Sequence, residues 1–149
     1  MGMIDVGDKA VIRRMAEAAG KIHLSSKSLE GIRRGQIRKG NPFPVAEVAA
    51  MNAAKQTHLL IPHCHQIPLD SVSVSFALRE DHVEASCLVK AQARTGVEME
   101  ALVGVTAALN TIWDVEPPDG PLPAEAIRPD EQLRGDTPVH VQLVKALAA

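Results

Sequence analysis

Between Ser71 and Val89 the chain alternates apolar and small polar residues with a period of two. Val72, Val74, Phe76 and Leu78 fall on one side, and Ser71, Ser73, Ser75 and Ala77 on the other. Arg79-Glu80-Asp81 supplies a polar turn, and Val83, Ala85, Cys87 and Val89 then resume the alternation. Successive side chains of a strand point to opposite faces, so the pattern predicts an antiparallel β-hairpin with one apolar face. That face must be covered by another layer, which restricts the chain to sheet-on-helix or sheet-on-sheet designs. Cys87 lies on the apolar side and reads as a packed thiol. The small, hydroxylated side is either wet or covered by another subunit.

The covering layer reads as helices. Ser25-Ser26 offers an N-cap, Leu29 and Ile32 share a face, and Gly35 can end a short helix there. Pro44 is expected to open a second helix, with Val45, Val48, Ala49, Met51, Asn52 and Ala53 on a broad apolar face and its end near Thr57. Ala49, Ala50, Ala53 and Ala54 suggest close packing on a sheet or a partner. A third, long helix is expected over Val97–Asp114, with Thr95 as its cap. Leu102, Val105, Leu109 and Ile112 would form its buried stripe. Residues 10–18 fit helix or strand, and Lys21–Leu24 reads as strand. Residues 115–138 contain six prolines and read as an irregular arm, and 139–147 as a last strand within a single domain spanning 1–149.

Several functional classes are disfavoured by composition. With 46% apolar residues the chain can build a core, and a net charge of −2 gives no overall basic footprint for nucleic acid. No apolar run approaches the roughly 18 residues of a membrane span. The first residues lack a secretory leader's apolar stretch, and Met1-Gly2 has no myristoylation context. Two cysteines without paired spacing suit a reduced, cytoplasmic protein.

The chemically dense stretch is Leu59-Leu60-Ile61-Pro62-His63-Cys64-His65-Gln66-Ile67-Pro68-Leu69. Three titratable groups in an apolar, proline-bounded segment require partners or a task. The residues allow a metal site using His58, His63, Cys64 and His65, although no paired motif accompanies them. They also allow a Cys64 nucleophile beside an imidazole. A third possibility is a proton-handling pocket for a polyanion, completed by Lys39, Arg14 and the acids of the long helix. The plain alternative is a set of satisfied core histidines. Glu98 and Glu100 lie in the first turn of the long helix, where its dipole favours carboxylates. Asp114 lies fourteen residues beyond Glu100, on a similar face but roughly 21 Å further along.

Taken together, Ile4-Asp5-Val6, Lys39-Gly40, Ala53-Ala54-Lys55-Gln56-Thr57 leading into the central stretch, Thr95–Leu102 and Trp113-Asp114 resemble the MoaC family. The resemblance covers about the first 114 residues. It implies an α+β, ferredoxin-like fold with an antiparallel sheet packed on helices. It implies a hexamer of three dimers with sites at the dimer interface. The implied activity, in molybdenum cofactor biosynthesis, is cyclic pyranopterin monophosphate synthesis. There 3′,8-cyclo-7,8-dihydroguanosine triphosphate is rearranged, a cyclic phosphate closes and pyrophosphate leaves. It implies no metal and no organic cofactor. Transferred residue by residue, the resemblance places substrate binding on His63, Cys64, His65, Glu98, Met99 and Glu100, with Arg14 on the phosphate side. Catalysis falls on Asp114, Lys39 and His65.

Three positions depart from the family pattern. His63 stands where Leu is usual, Gln66 where Pro is usual, and Pro117 where a lysine follows the aspartate by three residues. Loss of a general acid can cost roughly 10²–10⁴-fold in rate. Two functions are therefore carried forward. One is an active synthase whose missing cation comes from Arg128, Arg134 or Lys145. The other is a paralogue that binds a nucleotide, a pterin or a partner subunit without turnover.

Overall fold

The expected hairpin is present as β2 (Ser71–Leu78) and β3 (His82–Ala93). It belongs to a computed structural model that describes residues 2–115 in full and the backbone of 139–148. The ambiguous segment at 10–18 is extended and merges with the strand expected at Lys21–Leu24, forming β1 (Ile12–His23). The extended form prevails because β3 is long enough to pair with β1 from Ile12↔Ala93 to His23↔His82. Such a ladder satisfies the backbone polar groups of the whole segment. With β4 (Val139–Ala148) the sheet has the order β2-β3-β1-β4, and every pair is antiparallel. Apart from Val115, the arm expected over 115–138 lies outside the described residues.

One face of the sheet carries the core. Ala16, Ala18 and Ile22 of β1 and Val83, Ala85, Cys87, Val89 and Ala91 of β3 are buried there. Four helices are described: α1 (Ser26–Arg34), α2 (Pro42–Lys55), α3 (Thr57–Leu60) and α4 (Glu98–Val115). The result is the α+β, ferredoxin-like arrangement of antiparallel sheet on helices. The other face leaves a trough of about 750 Å³ lined by Ala19, Lys21, Ser75, Ala77 and Ser86. Among the described residues no helix is long and apolar enough to cross a membrane.

Local chemistry sets the helix ends. Ser25 Oγ accepts from the Ser28 amide at 3.1 Å, and Gly35 closes α1 in the left-handed region at φ 64°. α2 starts two residues earlier than expected, because Asn41 Oδ1 caps it by accepting from the Phe43 amide at 3.1 Å. Its end also differs. α2 stops at Lys55, and the separate turn of α3 carries the chain into the central stretch.

The buried face of α2 keeps the close packing expected of Ala50 and Ala54 but not the valines expected beside them. Ala46, Ala50 and Ala54 are buried, whereas Val45 and Val48 are about half exposed. The cause is close approach between α2 and α4. A Cβ at Gly104 would sit 2.7 Å from Cys87 Sγ, 3.4 Å from the Ala50 carbonyl oxygen and 3.5 Å from Ala54 Cβ. Only small residues fit a seam this tight. The buried stripe of α4 is correspondingly wider than expected, adding Ala101, Gly104 and Ala108, while Leu102 is only partly buried. α4 begins at Glu98, so Thr95 lies outside the cap position.

Gly104→Ala is therefore expected to destabilise the fold by about 1–3 kcal/mol through overpacking, despite alanine's better helix propensity. Urea unfolding measures this. Adding Cys87→Ala should recover part of the loss, because the atom struck by the new methyl is removed.

Candidate functional site

α4 runs past both halves of the candidate site. At its C-terminal end the turn Ile37–Gly40, closed by Gly40 N–H donating to Ile37 O at 2.9 Å, projects Lys39. Gly40, at φ 92°, holds a backbone conformation that other residues rarely adopt. Lys39 Nζ donates to the Asp114 carbonyl at 2.5 Å and pairs with Asp114 Oδ2 at 3.2 Å. A cation is favoured there by the helix dipole as well as by the carboxylate. The two side chains stay 42% and 79% exposed, so the pair itself contributes little to stability. It can still hold an ammonium and a carboxylate side by side facing solvent, where a substrate proton can be moved.

The second half lies at the start of α4. Glu98 folds back over Gly96, and a Cβ there would strike the Glu98 carboxylate. Glycine at 96 leaves room for that carboxylate, which is the mobile end of its side chain. Glu100 is only 4% exposed, and its pKa is raised first by burial and then by the charge of Glu98. A backbone hydrogen bond opposes the rise. Met99, between them, is exposed on a different side of the helix. Dipole stabilisation alone does not account for Glu100, because an exposed first-turn acid needs no burial.

The central stretch packs beside this end. Thr57 is buried and donates from Oγ1 to the Ala54 carbonyl at 3.0 Å, anchoring the segment to α2. A turn from Ile61 to Cys64 follows, and Asp70 N–H donates to Lys90 O at 2.9 Å where the segment enters the sheet. Cys64 is half-buried, and its thiol pKa is raised by burial first and by the Glu100 carboxylate second. Cys64 and Glu100 therefore share one electrostatic environment. His65 Nε2–H donates to the Ile4 carbonyl at 2.9 Å. A neutral ring in that tautomer keeps its Nδ1 lone pair available.

The stretch is not core. His63 is exposed, His65 half-buried, and Leu59 is 71% exposed. The reading as satisfied core histidines fails because the chain there runs along the surface in irregular backbone. The metal reading also finds no geometric support. Among the described residues, the one set of three potential ligands within mutual reach is His23, Asp81 and His82, not a set from His58, His63, Cys64 and His65.

Arg14 lies on the core-facing side of β1 with Ala16 and Ala18. It donates from Nη2 to the Arg94 carbonyl at 3.4 Å. Its buried Nε has no partner among the described residues. Lys39 and Asp114 are thus joined at one end of α4, while Glu98, Glu100 and Cys64 gather at the other. Pro117, Arg128 and Arg134 lie outside the described residues, and of Lys145 only the backbone is described.

Comparison with known proteins adds a family. The sequence model of the MoaC family matches residues 3–116. A protein of Thermococcus onnurineus named probable cyclic pyranopterin monophosphate synthase is 46% identical over 130 residues, covering 87% of this chain and 78% of its own. Proteins of the same name from Pyrococcus abyssi and Methanosarcina mazei are 50% and 49% identical over 113 residues. Those matches cover 76% of this chain and 71% and 72% of theirs.

The proximity of Cys64 and Glu100 has a chemical readout. Cys64 should alkylate with iodoacetamide more slowly at neutral pH than an ordinary free thiol, since its thiolate is disfavoured. Glu100→Gln removes the carboxylate's repulsion, lowers the thiol pKa and should move the pH–rate profile toward lower pH. Cys87, whose pKa is pushed up to about 11 by burial, should stay unreactive in the native protein.

Proposed function

Because the chain belongs to the MoaC family, we propose that it is a cyclic pyranopterin monophosphate synthase. It converts 3′,8-cyclo-7,8-dihydroguanosine triphosphate to cyclic pyranopterin monophosphate and pyrophosphate in molybdenum cofactor biosynthesis. The observation that carries the site assignment is the Lys39–Asp114 pair, formed across 75 positions of sequence and presented to solvent. In this reading Asp114 and Lys39 exchange protons with the substrate, and His65 serves as a further base through Nδ1. Arg14 supplies charge for the triphosphate. His63, Cys64, Glu98, Met99 and Glu100 bind the remainder of the substrate.

The two halves lie at opposite ends of α4, and the span from Glu100 to Asp114 is roughly 21 Å at about 1.5 Å per residue. A site built by two chains brings the start of one α4 toward the end of another. This supports a homo-oligomer, and the family resemblance extends the proposal to a hexamer of three dimers acting in the cytoplasm, with neither nucleic acid nor membrane as partner. The exposure of Ile4, Val45, Val48, Leu59 and Leu60 is consistent with surfaces that a second copy covers. A non-turnover paralogue is the second reading, favoured by Pro117 at the position of the family lysine.

A single-turnover assay separates the two. The protein is mixed with the cyclised substrate, and product is read after oxidation to a fluorescent pterin. Asp114→Asn and Lys39→Met are each expected to lower the rate roughly 10²–10⁴-fold. Stability should change by less than about 1 kcal/mol, since the pair is exposed. Binding without product in the unmodified protein would establish the paralogue instead.

A further inference from the structure

A second cluster of titratable side chains lies where β1 ends beside the β2–β3 turn, and no residue of it belongs to the site above. His23 and His82 are directly paired across the sheet, with ring centroids 5.3 Å apart. Asp81 sits between them. Its Oδ2 is 3.4 Å from His23 Nδ1 and its Oδ1 is 2.6 Å from His82 Nδ1. One ligand atom from each of the three lies within 4.8 Å of the others. We propose that His23, Asp81 and His82 bind a divalent transition-metal ion of the zinc class.

The surroundings are those of a metal ligand set rather than of a chance ion pair. His82 Nδ1–H donates to Asp81 Oδ1 at 2.6 Å and Nε2 lies 3.3 Å from Glu84 Oε1, so an arriving cation takes the place of the Nδ1 proton while Nε2–H donates to Glu84. A carboxylate accepting from the far nitrogen of a ligating histidine fixes its tautomer and raises its basicity. Glu84 is itself held by Arg79 Nε–H at 2.9 Å. Arg79 is anchored in turn, because its carbonyl accepts from Arg33 Nη2 at 2.6 Å. Two imidazoles and one carboxylate suit zinc and its neighbours better than calcium or magnesium, which prefer all-oxygen sites. His82 is 17% exposed and Asp81 is 70% exposed, so the ion would reach the cluster from solvent and keep water in its remaining positions. Its effect is a clasp between the end of β1 and the hairpin turn.

The test is calorimetric titration of the full chain, stripped with chelator, with Zn²⁺ alone. The expected result is one ion per chain and a melting temperature that rises with zinc concentration. His23→Asn and Asp81→Asn should each abolish that binding. Glu84→Gln, which keeps all three ligands, should weaken it roughly 10–100-fold. Circular dichroism checks that the variants fold. Co²⁺ added to the unmodified protein gives a readout that needs no variant: visible d–d bands without a thiolate charge-transfer band support the cluster. Binding that survives both ligand substitutions, binding lost on Cys64→Ser or His65→Asn, a thiolate–cobalt band, or no saturable binding would each overturn the proposal.

Discussion

The seam of small residues between α2, α4 and β3 is the constraint from which the rest of the molecule follows. Gly104 faces Cys87 Sγ, the Ala50 carbonyl and Ala54 with no room for a methyl group. An interior packed this closely transmits changes of shape rather than absorbing them. The seam therefore sets the height and rotation of α4 over the sheet. That placement determines where Asp114 emerges at one end of the helix and how deeply Glu100 is set at the other. It also turns the larger residues of α2, Val45 and Val48, outward. The lack of bulky aromatics is consistent with this design: with two Phe, one Trp and no Tyr, the core is filled by closeness rather than by side-chain volume.

Electrostatics differ between the ends of α4, and the difference suits two kinds of chemistry. At the C-terminal end the Lys39 amine and the Asp114 carboxylate meet at the exposed surface. At the N-terminal end a carboxylate is set into low dielectric beside a half-buried thiol, and both pKa values rise. Groups whose protonation is displaced in this way concentrate at functional sites. Their neighbours are held by backbone contacts rather than by other reactive groups. His65 is fixed by the Ile4 carbonyl, and the central stretch is tied to α2 through Thr57.

Legibility in the sequence varied with the physical range of each signal. The hairpin, the Ser25 cap, the Gly35 stop and the long helix are local: each depends on side-chain alternation, a capping oxygen or a positive φ within a few residues. The segment at 10–18 was ambiguous because its own residues favour neither state, and only the ladder to β3 decides it. On α2 the close packing of Ala50 and Ala54 is legible, but Val45 and Val48 are not on the buried face, because hydrophobic periodicity weighs valine above alanine. A tight helix crossing rewards the opposite choice. The apolar character of Leu59–Leu69 suggested burial, yet Leu59 and His63 lie at the surface, since irregular backbone without a ladder is satisfied most readily by water.

By itself, the amino-acid sequence determined most of the element types, residues 10–18 excepted, together with the antiparallel hairpin and the set of residues able to do chemistry, because these depend on composition and spacing along the chain. The tertiary structure alone decided which of those residues meet. Lys39 reaches Asp114 and Cys64 feels Glu100 only because the seam seats α4 between the loop before α2 and the segment after it. His23, Asp81 and His82 converge only because the β1–β3 register places two strand ends side by side. Proximity of this kind arises from packing between distant segments, and no local pattern encodes it.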